Sequence, residues 1–343
     1  MKKVLALLLA LTLALSLAAC GGKSNDAPPA SGGDGAGDAA GGDSGEQVRV
    51  ACILSGPISD MSWNYTAHQG MLRIEQMGAE IAYQENVENS ALPDCINTYA
   101  TDGYDVIILS TNSYEESALP ITKDFPDTQF IIINGQTTEG NVTSYAIADE
   151  DQGFMQGAIC ALLSKTGKVG FVGSVEITPI LNGRAGFEQG AKYINSDYEV
   201  NATMVGSYTD VGAAKEMSKA MIGGGVDAIA PMCDAAALGV VEAAQEGGIY
   251  AVASGEGQET IAPDSVVCAV IKDTAVVYER AYQDYLDGKL DGTTGVLKLG
   301  AADGVVYMGD YYPAADSVSD DIKTQITDTY NALASGEITI TLD

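Results

Sequence analysis

Histidine and tryptophan are almost missing from this chain, and the first of these scarcities limits the chemistry open to it. His68 is the only histidine and Trp63 the only tryptophan in 343 residues. A single histidine excludes histidine-rich metal sites and any Ser-His-Asp triad that needs another histidine. We therefore predict no metal site and no catalytic triad of this kind.

Closely spaced cysteine pairs are lacking as well. Of the six cysteines, Cys20 lies near the N-terminus and the other five are scattered, with no CxxC pair. An odd number at irregular spacing argues against a disulfide framework. Because Cys52, Cys160 and Cys268 lie inside apolar runs, we expect buried free thiols.

Basic residues are few. Lysine and arginine together number 17 against 47 aspartates and glutamates, which gives a formal net charge of −30 at pH 7. A surface this acidic repels phosphate backbones, so we expect no nucleic-acid partner. Beyond the first 19 residues the sequence has no apolar stretch of the roughly 20 residues that a membrane span needs.

The N-terminus indicates secretion. Lys2 and Lys3 precede the uncharged apolar run 4–19, which is the layout of a signal peptide. The run ends in Leu-Ala-Ala followed by Cys20, and small residues before a cysteine resemble the bacterial lipobox. This resemblance implies that Cys20 is lipidated and becomes the new N-terminus. An ordinary signal peptide with a chance cysteine is the alternative.

The segment 21–46 is typical of a tether. It consists of Gly, Ala, Ser and Asp with little else, and it holds too little apolar surface to offset the entropy of ordering. We predict a signal peptide over residues 1–19 and a lipidated cysteine with a disordered linker over residues 20–46.

From residue 47 onward, β-branched apolar runs alternate with helical patterns. Strands are predicted at 48–54, 80–84, 106–109, 130–133, 169–172, 203–205, 228–230, 249–253 and 266–271. Helices are predicted at 62–77, 90–101, 114–124, 150–164, 181–194, 213–222, 236–246, 274–286 and 320–334. This alternation predicts parallel sheets covered on both faces, arranged as two similar α/β lobes in series.

Polar residues follow many of the predicted strands. Ligands bind at the carboxyl ends of the strands in such sheets, so these loops are the candidate binding site. Each side chain taken alone could equally be a helix cap or part of the core. The candidates are Asp60, Trp63, Asn64, Asn112, Tyr114, Asp234, Glu256 and Lys272.

Four stretches resemble the BMP family of basic membrane lipoproteins, which includes purine-nucleoside-binding lipoproteins of ABC importers. They read LSGPISDMSWN, FPDTQFIIING, DEDQGFMQGAICALLSKTGKVGFVGS and GFEQGAKYIN. The resemblance implies the type I periplasmic-binding-protein fold, with two Rossmann-like lobes, a ligand cleft between them and a hinge of three crossing segments. We assign residues 47–148 and about 273–343 to lobe 1, with part of the latter able to cross back, and 149–272 to lobe 2.

The resemblance also implies roles for individual residues. Asp60, Trp63 and Asn64 match an Asp, a base-packing aromatic and an Asn of the family. Tyr114 matches a position that is usually Phe, and Lys272 matches a lysine near the ligand. We expect Tyr114 to offer a second aromatic surface and Lys272 to balance buried negative charge.

Two loops depart from the family pattern. Gly255 stands where the family has the Asp that holds the ribose, and only the neighbouring Glu256 could substitute for it. The loop 231–235 replaces a glycine-rich loop and holds no aromatic residue. These departures leave the exact ligand open, with a purine nucleoside preferred and a sugar as the alternative.

The expected function is that of a membrane-anchored receptor that delivers its ligand to an ABC permease, with no cofactor and no catalysis. A dinucleotide-dependent enzyme on the same lobes would need a glycine-rich turn after the first strand, and the sequence 55–58 is not that motif. A sensory lipoprotein without a permease is a further alternative.

Replacing Cys20 tests the predicted anchor. We expect Cys20→Ser to leave the protein secreted but unprocessed or released from the membrane, because the acyl chains on this cysteine would be its anchor. Membrane partitioning of both forms measures this. An unchanged membrane fraction in the variant would refute the lipobox interpretation.

Overall fold

The computed structural model describes residues 47–60 and 63–342. The predicted signal peptide, Cys20 and the tether lie outside these residues. In the described chain the strands are β1 (Arg49–Ile53), β2 (Glu80–Gln84), β3 (Val106–Leu109), β4 (Gln129–Ile133), β5 (Val142–Ile147), β6 (Lys168–Gly173), β7 (Glu199–Met204), β8 (Ala228–Met232), β9 (Tyr250–Ala253), β10 (Val266–Lys272), β11 (Leu297–Leu299) and β12 (Val306–Tyr311).

The α-helices of the described chain alternate with these strands. They are α1 (Trp63–Gln76), α2 (Leu92–Thr101), α3 (Glu115–Thr122), α4 (Asp149–Leu163), α5 (Thr178–Ile194), α6 (Val211–Gly223), α7 (Ala237–Gly247), α8 (Ala275–Leu286) and α9 (Asp320–Ala334). None of them is both long and apolar enough to span a membrane.

The strands form two six-stranded sheets. The first has the order β11-β5-β4-β3-β1-β2 and the second the order β12-β10-β9-β8-β6-β7. The pairs are parallel except for β12, which runs antiparallel to β10. The prediction of two α/β lobes built on parallel sheets is therefore confirmed.

Burial along the strands follows their place in each sheet. The central strand β3 is buried at every position and is entirely aliphatic, whereas the edge strand β2 is partly exposed and carries Glu80 and Gln84. Helices cover both faces of such sheets, so central strands must be apolar on both sides. In β1, Val50 and Cys52 belong to one core and Ala51 and Ile53 to the other, as the two-residue period of a strand requires.

The C-terminal segment divides between the two sheets. Helix α8 packs its buried residues into the core of the first sheet, next to β11. Strand β12 and helix α9 instead belong to the second sheet and its core. The chain therefore crosses between the sheets three times: before α4, between β10 and α8, and between β11 and β12.

Helices α4 and α5 touch through their backbones. A Cβ atom on Gly157 would lie 2.1 Å from the carbonyl oxygen of Phe187, and one on Gly186 would lie 2.1 Å from the carbonyl oxygen of Glu150. Real Cβ atoms do not approach backbone atoms this closely. Only glycine at these positions lets the two helices pack at this distance, and α4 is thereby held against the second lobe.

This contact predicts the effect of a single methyl group. We expect Gly157→Ala to lower the free energy of unfolding by about 1–3 kcal/mol, because the two helix backbones must separate. Gly223→Ala is the control, since an added Cβ meets nothing within 4 Å there. The control should leave stability unchanged or raise it by up to about 1 kcal/mol. Equal effects of the two changes in denaturant titrations would contradict the close packing.

Candidate functional site

The candidate site lies at the carboxyl ends of the strands. In each sheet the order reverses once, between β1 and β3 in the first and between β6 and β8 in the second. Loops diverge at such a point and leave a crevice in which ligands bind. The residues after these four strands are therefore the first to be considered.

The loop after β1 is held by Asn64 and Trp63. Buried Asn64 accepts a hydrogen bond from the Gly56 N–H at 3.1 Å, which closes the loop on the start of α1. The Trp63 Nε1–H donates to the carbonyl oxygen of Ser110, at the end of β3, at 2.8 Å. The half-buried indole is thus fixed at the point where the strand order reverses.

Asp60 is the last residue of the short 3-10 helix Ile58–Asp60 in the same loop. The backbone of this residue is described, but its carboxylate is outside the described part of the structure. The helix is tied to the neighbouring loop because the Ile58 N–H donates to Glu85 Oε2 at 2.7 Å.

In the loop after β3, Tyr114 does not offer the second aromatic surface that the sequence predicts. Its side chain is 1% exposed and packs into the core between the first sheet and its helices. Its hydroxyl donates to the carbonyl oxygen of Val87 at 2.6 Å, and burial raises the pKa of Tyr114 well above its usual value. The ring therefore supports the wall of the site and presents no free face. Asn112, by contrast, is exposed.

Asp234 is the exposed candidate after β8. Its φ of 47° lies in the left-handed region, which Asp and Asn enter more readily than other non-glycine residues and which recurs at ligand-binding turns at a cost on the order of 1–3 kcal/mol. The turn it occupies, Asp234–Ala236, is a 3-10 helix that leads into α7.

The loop after β9 is held by Gln258. Its side-chain amide accepts from the Ser254 N–H and donates to the Ser254 hydroxyl, both at 3.2 Å. Exposed Glu256 lies at the tip of this loop. Burial raises the pKa values of Tyr307 and Tyr312, and the negative charge of Glu256 adds to this effect. A Cβ on Gly255 would meet only Gln258 Nε2, at 3.9 Å, so this loop has room for a larger side chain.

Lys272 has a partner that the sequence did not suggest. Its ammonium lies 2.5 Å from Asp149 Oδ1, and the side chains are 23% and 3% exposed. Lys272 ends β10 and Asp149 begins α4, so this ion pair joins two of the three crossings. Its charge is therefore balanced by a protein carboxylate before any ligand arrives.

The next two residues of α4 bind the third crossing. Glu150 forms an ion pair with Lys298 of β11, and Asp151 Oδ2 accepts from the Ala301 N–H at 2.8 Å. Acidic side chains are favoured at a helix N-terminus by its partial positive charge. The three carboxylates that begin α4 therefore hold all the crossing segments, a role that sequence reasoning missed although the motif DEDQ was noted.

Burial raises the pKa of the Asp151 carboxyl from 3.8 to about 6, against the lowering effect of the Ala301 N–H. Neighbouring Glu150 and Asp303 raise it further, while Lys298 lowers it. Because the folded-state pKa is the higher one, the stability given by the neutral acid is complete below about pH 4. It is lost as the pH rises through about 6.

Within residues 47–60 and 63–342, no three His, Cys, Asp or Glu side chains are grouped to hold a metal ion. The ring of His68, on α1, packs edge-on against the ring of Tyr83, with 4.8 Å between the two ring centroids. The five described cysteines are buried and free, as the sequence predicted.

A family model described as Bmp, ABC transporter substrate-binding protein PnrA-like, matches residues 47–342. The chain belongs to the Bmp family. Both the resemblance stated from the sequence motifs and the two-lobed α/β fold that it implied are thereby confirmed. The family model describes substrate-binding proteins of ABC transporters, and this chain is therefore a protein of that class.

The relatives carry different names. A purine-binding protein of Brucella abortus strain 2308 is 29% identical over 299 residues, covering 85% of this chain and 83% of its own. The transcriptional activator protein Med of Bacillus subtilis strain 168 is 27% identical, with 84% and 90% covered. A solved ABC transporter solute-binding protein of Conexibacter woesei has a TM-score of 0.70 at 20% identity, covering 86% and 98%, a likeness that shows the fold.

The Lys272–Asp149 pair predicts a stability effect in the absence of ligand. We expect Lys272→Ala to lower the free energy of unfolding by about 3 kcal/mol, because it leaves the buried Asp149 carboxylate without its countercharge. The control is Arg184→Ala, which breaks the exposed Arg184–Glu188 pair of α5 and should cost less than about 1 kcal/mol. Similar small losses in both variants, measured by chemical denaturation at pH 7, would contradict a structural role for Lys272.

Proposed function

We propose that this protein is the lipid-anchored, extracytoplasmic receptor of an ABC importer and that it captures a flat heterocycle, with a purine nucleoside as the first candidate. The observation that carries the proposal is the position of Trp63. Its indole is fixed by the bond to Ser110 where the first sheet reverses its strand order, and aromatic rings of this kind stack on planar ligands.

The polar groups around the crevice suit a ligand with hydroxyls. Exposed Asp234 and Glu256 follow two strands of the second sheet, and carboxylates accept strong hydrogen bonds from hydroxyl groups. Asn112 adds an exposed amide from the first lobe. We propose that either Asp60 or Glu256 binds the hydroxyls of the ribose.

Among the relatives, the Brucella protein is named for purine binding. This name supports a purine ring as the part of the ligand that the site recognises. The sugar part is less constrained, because Gly255 stands where the family has a ribose-binding Asp. Because there is space around Gly255, a nucleoside and a free purine base are the two forms of the ligand to be compared.

The anchor and the permease complete the proposal. Cys20 would carry the lipid, and residues 21–46 would let the two lobes reach the permease. A sugar is the alternative ligand, since one aromatic platform with carboxylates also suits a pyranose. A regulatory lipoprotein without a permease is the second candidate function, which the transcriptional activator among the relatives favours.

Calorimetric titration with adenosine, guanosine, inosine, the free purine bases and ribose tests the ligand class. We expect wild type to bind nucleosides far better than ribose. Trp63→Ala should lose about 1–3 kcal/mol of nucleoside binding free energy, in line with base stacking on aromatic side chains. The difference in affinity between nucleosides and ribose should therefore become smaller. Trp63→Phe, which keeps a ring but loses the bond to Ser110, should lose less.

Small-angle scattering supplies an independent readout. A ligand that bridges the two lobes should reduce the radius of gyration of the wild type on binding. Wild type that binds ribose but none of the purines would refute the heterocycle and favour the sugar. Tight purine binding with no loss in Trp63→Ala would refute stacking on Trp63.

A further inference from the structure

We propose that Gln152 of α4 is a positioning residue of the ligand site, because it holds the loop after β9 in the place from which Glu256 binds hydroxyl groups of the ligand. The inference rests on the proposed function. It concerns Glu256, one of the two carboxylates proposed there for the ribose hydroxyls. Gln152 is itself 2% exposed, so it acts through the backbone that carries Glu256.

Strands β9 and β10 separate at a defined point. They run parallel and side by side as far as Ala253 and Ala269, which form their last pair. Beyond this pair the first chain enters the loop 254–258, and the second continues beside β12 as far as Lys272. The ladder between the two strands ends here, and buried carbonyl oxygens beyond its end need hydrogen-bond donors from elsewhere in the protein.

The side-chain amide of Gln152 bridges the two chains directly beyond their last pair. Its Nε2 donates to the carbonyl oxygen of Val270 at 2.8 Å and to that of Ser254 at 3.2 Å. An NH2 group carries two N–H donors, so one group serves both chains. The separation of β9 and β10 is thereby fixed by a side chain of α4.

The same face of α4 also holds the end of β10. Asp149 lies three residues before Gln152, and residues at this spacing share one face of a helix. Asp149 pairs with Lys272 at the end of β10, whereas the bond to Ser254 holds the start of the loop. One helix face therefore binds both chains after they separate, and it keeps the loop of Glu256 at a fixed distance from the end of β10.

The support at Ser254 extends to Glu256 because the loop is closed. The Gln258 side-chain amide accepts from the Ser254 N–H and donates to the Ser254 hydroxyl, so residues 255–257 form a short segment between two joined ends. Glu256 is exposed in the middle of this segment. A shift of Ser254 would therefore move the Glu256 carboxylate with it, and hydrogen bonds weaken steeply when their geometry is lost.

Gln152→Met tests the inference, because it keeps the length of the side chain and removes both N–H donors. The matched control is Gln156→Met, one turn further along α4. Gln156 is also buried and donates to the carbonyl oxygen of Pro231 at 3.0 Å, but Pro231 lies within β8, where it is paired with Val172 of β6. Denaturant titration without ligand shows whether the variants are folded. Gln152→Asn, which keeps the amide on a shorter side chain, replaces Gln152→Met if that variant does not fold.

Hydrogen exchange in the ligand-free protein measures the positioning alone. We expect the backbone amides of the loop 254–258 to exchange about threefold or more faster in Gln152→Met than in wild type, as for the loss of a hydrogen bond. The same amides should exchange at the wild-type rate in Gln156→Met. Equal rates in wild type and Gln152→Met overturn the inference, whatever the ligand is.

Calorimetric titration then compares a purine nucleoside with its free base. We expect Gln152→Met to weaken nucleoside binding by about tenfold, as for the loss of a hydrogen bond to a charged group. Affinity for the free base, which has no ribose hydroxyls, should stay at the wild-type value. Glu256→Ala should reproduce this pattern, and the double variant should lose no more than either single one, because both changes act on the same contact. Gln156→Met should bind both ligands like wild type.

The outcomes separate this inference from the proposed function. Unchanged nucleoside binding in Gln152→Met or Glu256→Ala overturns the inference alone, as does a wild type that binds nucleosides no more tightly than bases. Equal losses for nucleoside and base in Gln152→Met, or losses that add up in the double variant, overturn the positioning of Glu256 as the role of Gln152. A wild type that binds no purine overturns the proposed function and this inference with it.

Discussion

The ion pair between Asp149 and Lys272 is the interaction on which the relation of the two sheets depends. Two of the three crossings end in these residues, and the carboxylate is almost fully buried, so neither charge can be left without the other at low cost. Glu150 and Asp151 extend the same device to the third crossing. Because α4 also contacts α5 through backbone, these carboxylates are fixed to the second lobe. The lobe closure that we propose therefore takes place around crossing segments whose charged groups are already paired.

Side-chain hydrogen bonds within the protein also close the loops of the candidate site. Asn64 closes the loop after β1, Gln258 closes the loop after β9, and Ser207 closes the loop after β7. One backbone N–H in each of these three loops is therefore paired within the protein. What remains exposed is a small set of ring faces and carboxylates, and binding can use their interactions without ordering the chain first.

Much of the fold could be predicted from the sequence, and the failures have physical causes. The predicted helices are all present with small shifts at their ends. Strand β5 was missed because Thr143 and Ser144 interrupt its apolar pattern, and β11 was missed because it has only three residues. Strand β12 was missed because Gly309 and Asp310 interrupt its pattern. Tyr114 was expected to face the ligand, yet its hydroxyl reaches the carbonyl of Val87 and its ring enters the core. In the sequence, an aromatic residue at the end of a strand is equally consistent with a side chain that faces the ligand and with one that packs in the core.

The sequence by itself determined the family, the alternation of buried strands and helices, and the loops proposed to form the site. These follow from local composition and from motifs of neighbouring residues. Only the tertiary structure decided the pairing of Lys272 with Asp149, which are 123 residues apart, and the bond from Trp63 to the carbonyl oxygen of Ser110. It also decided that the last strand and helix return to the second sheet. Contacts of this kind depend on the order in which strands join a sheet, and no local pattern of residues encodes that order.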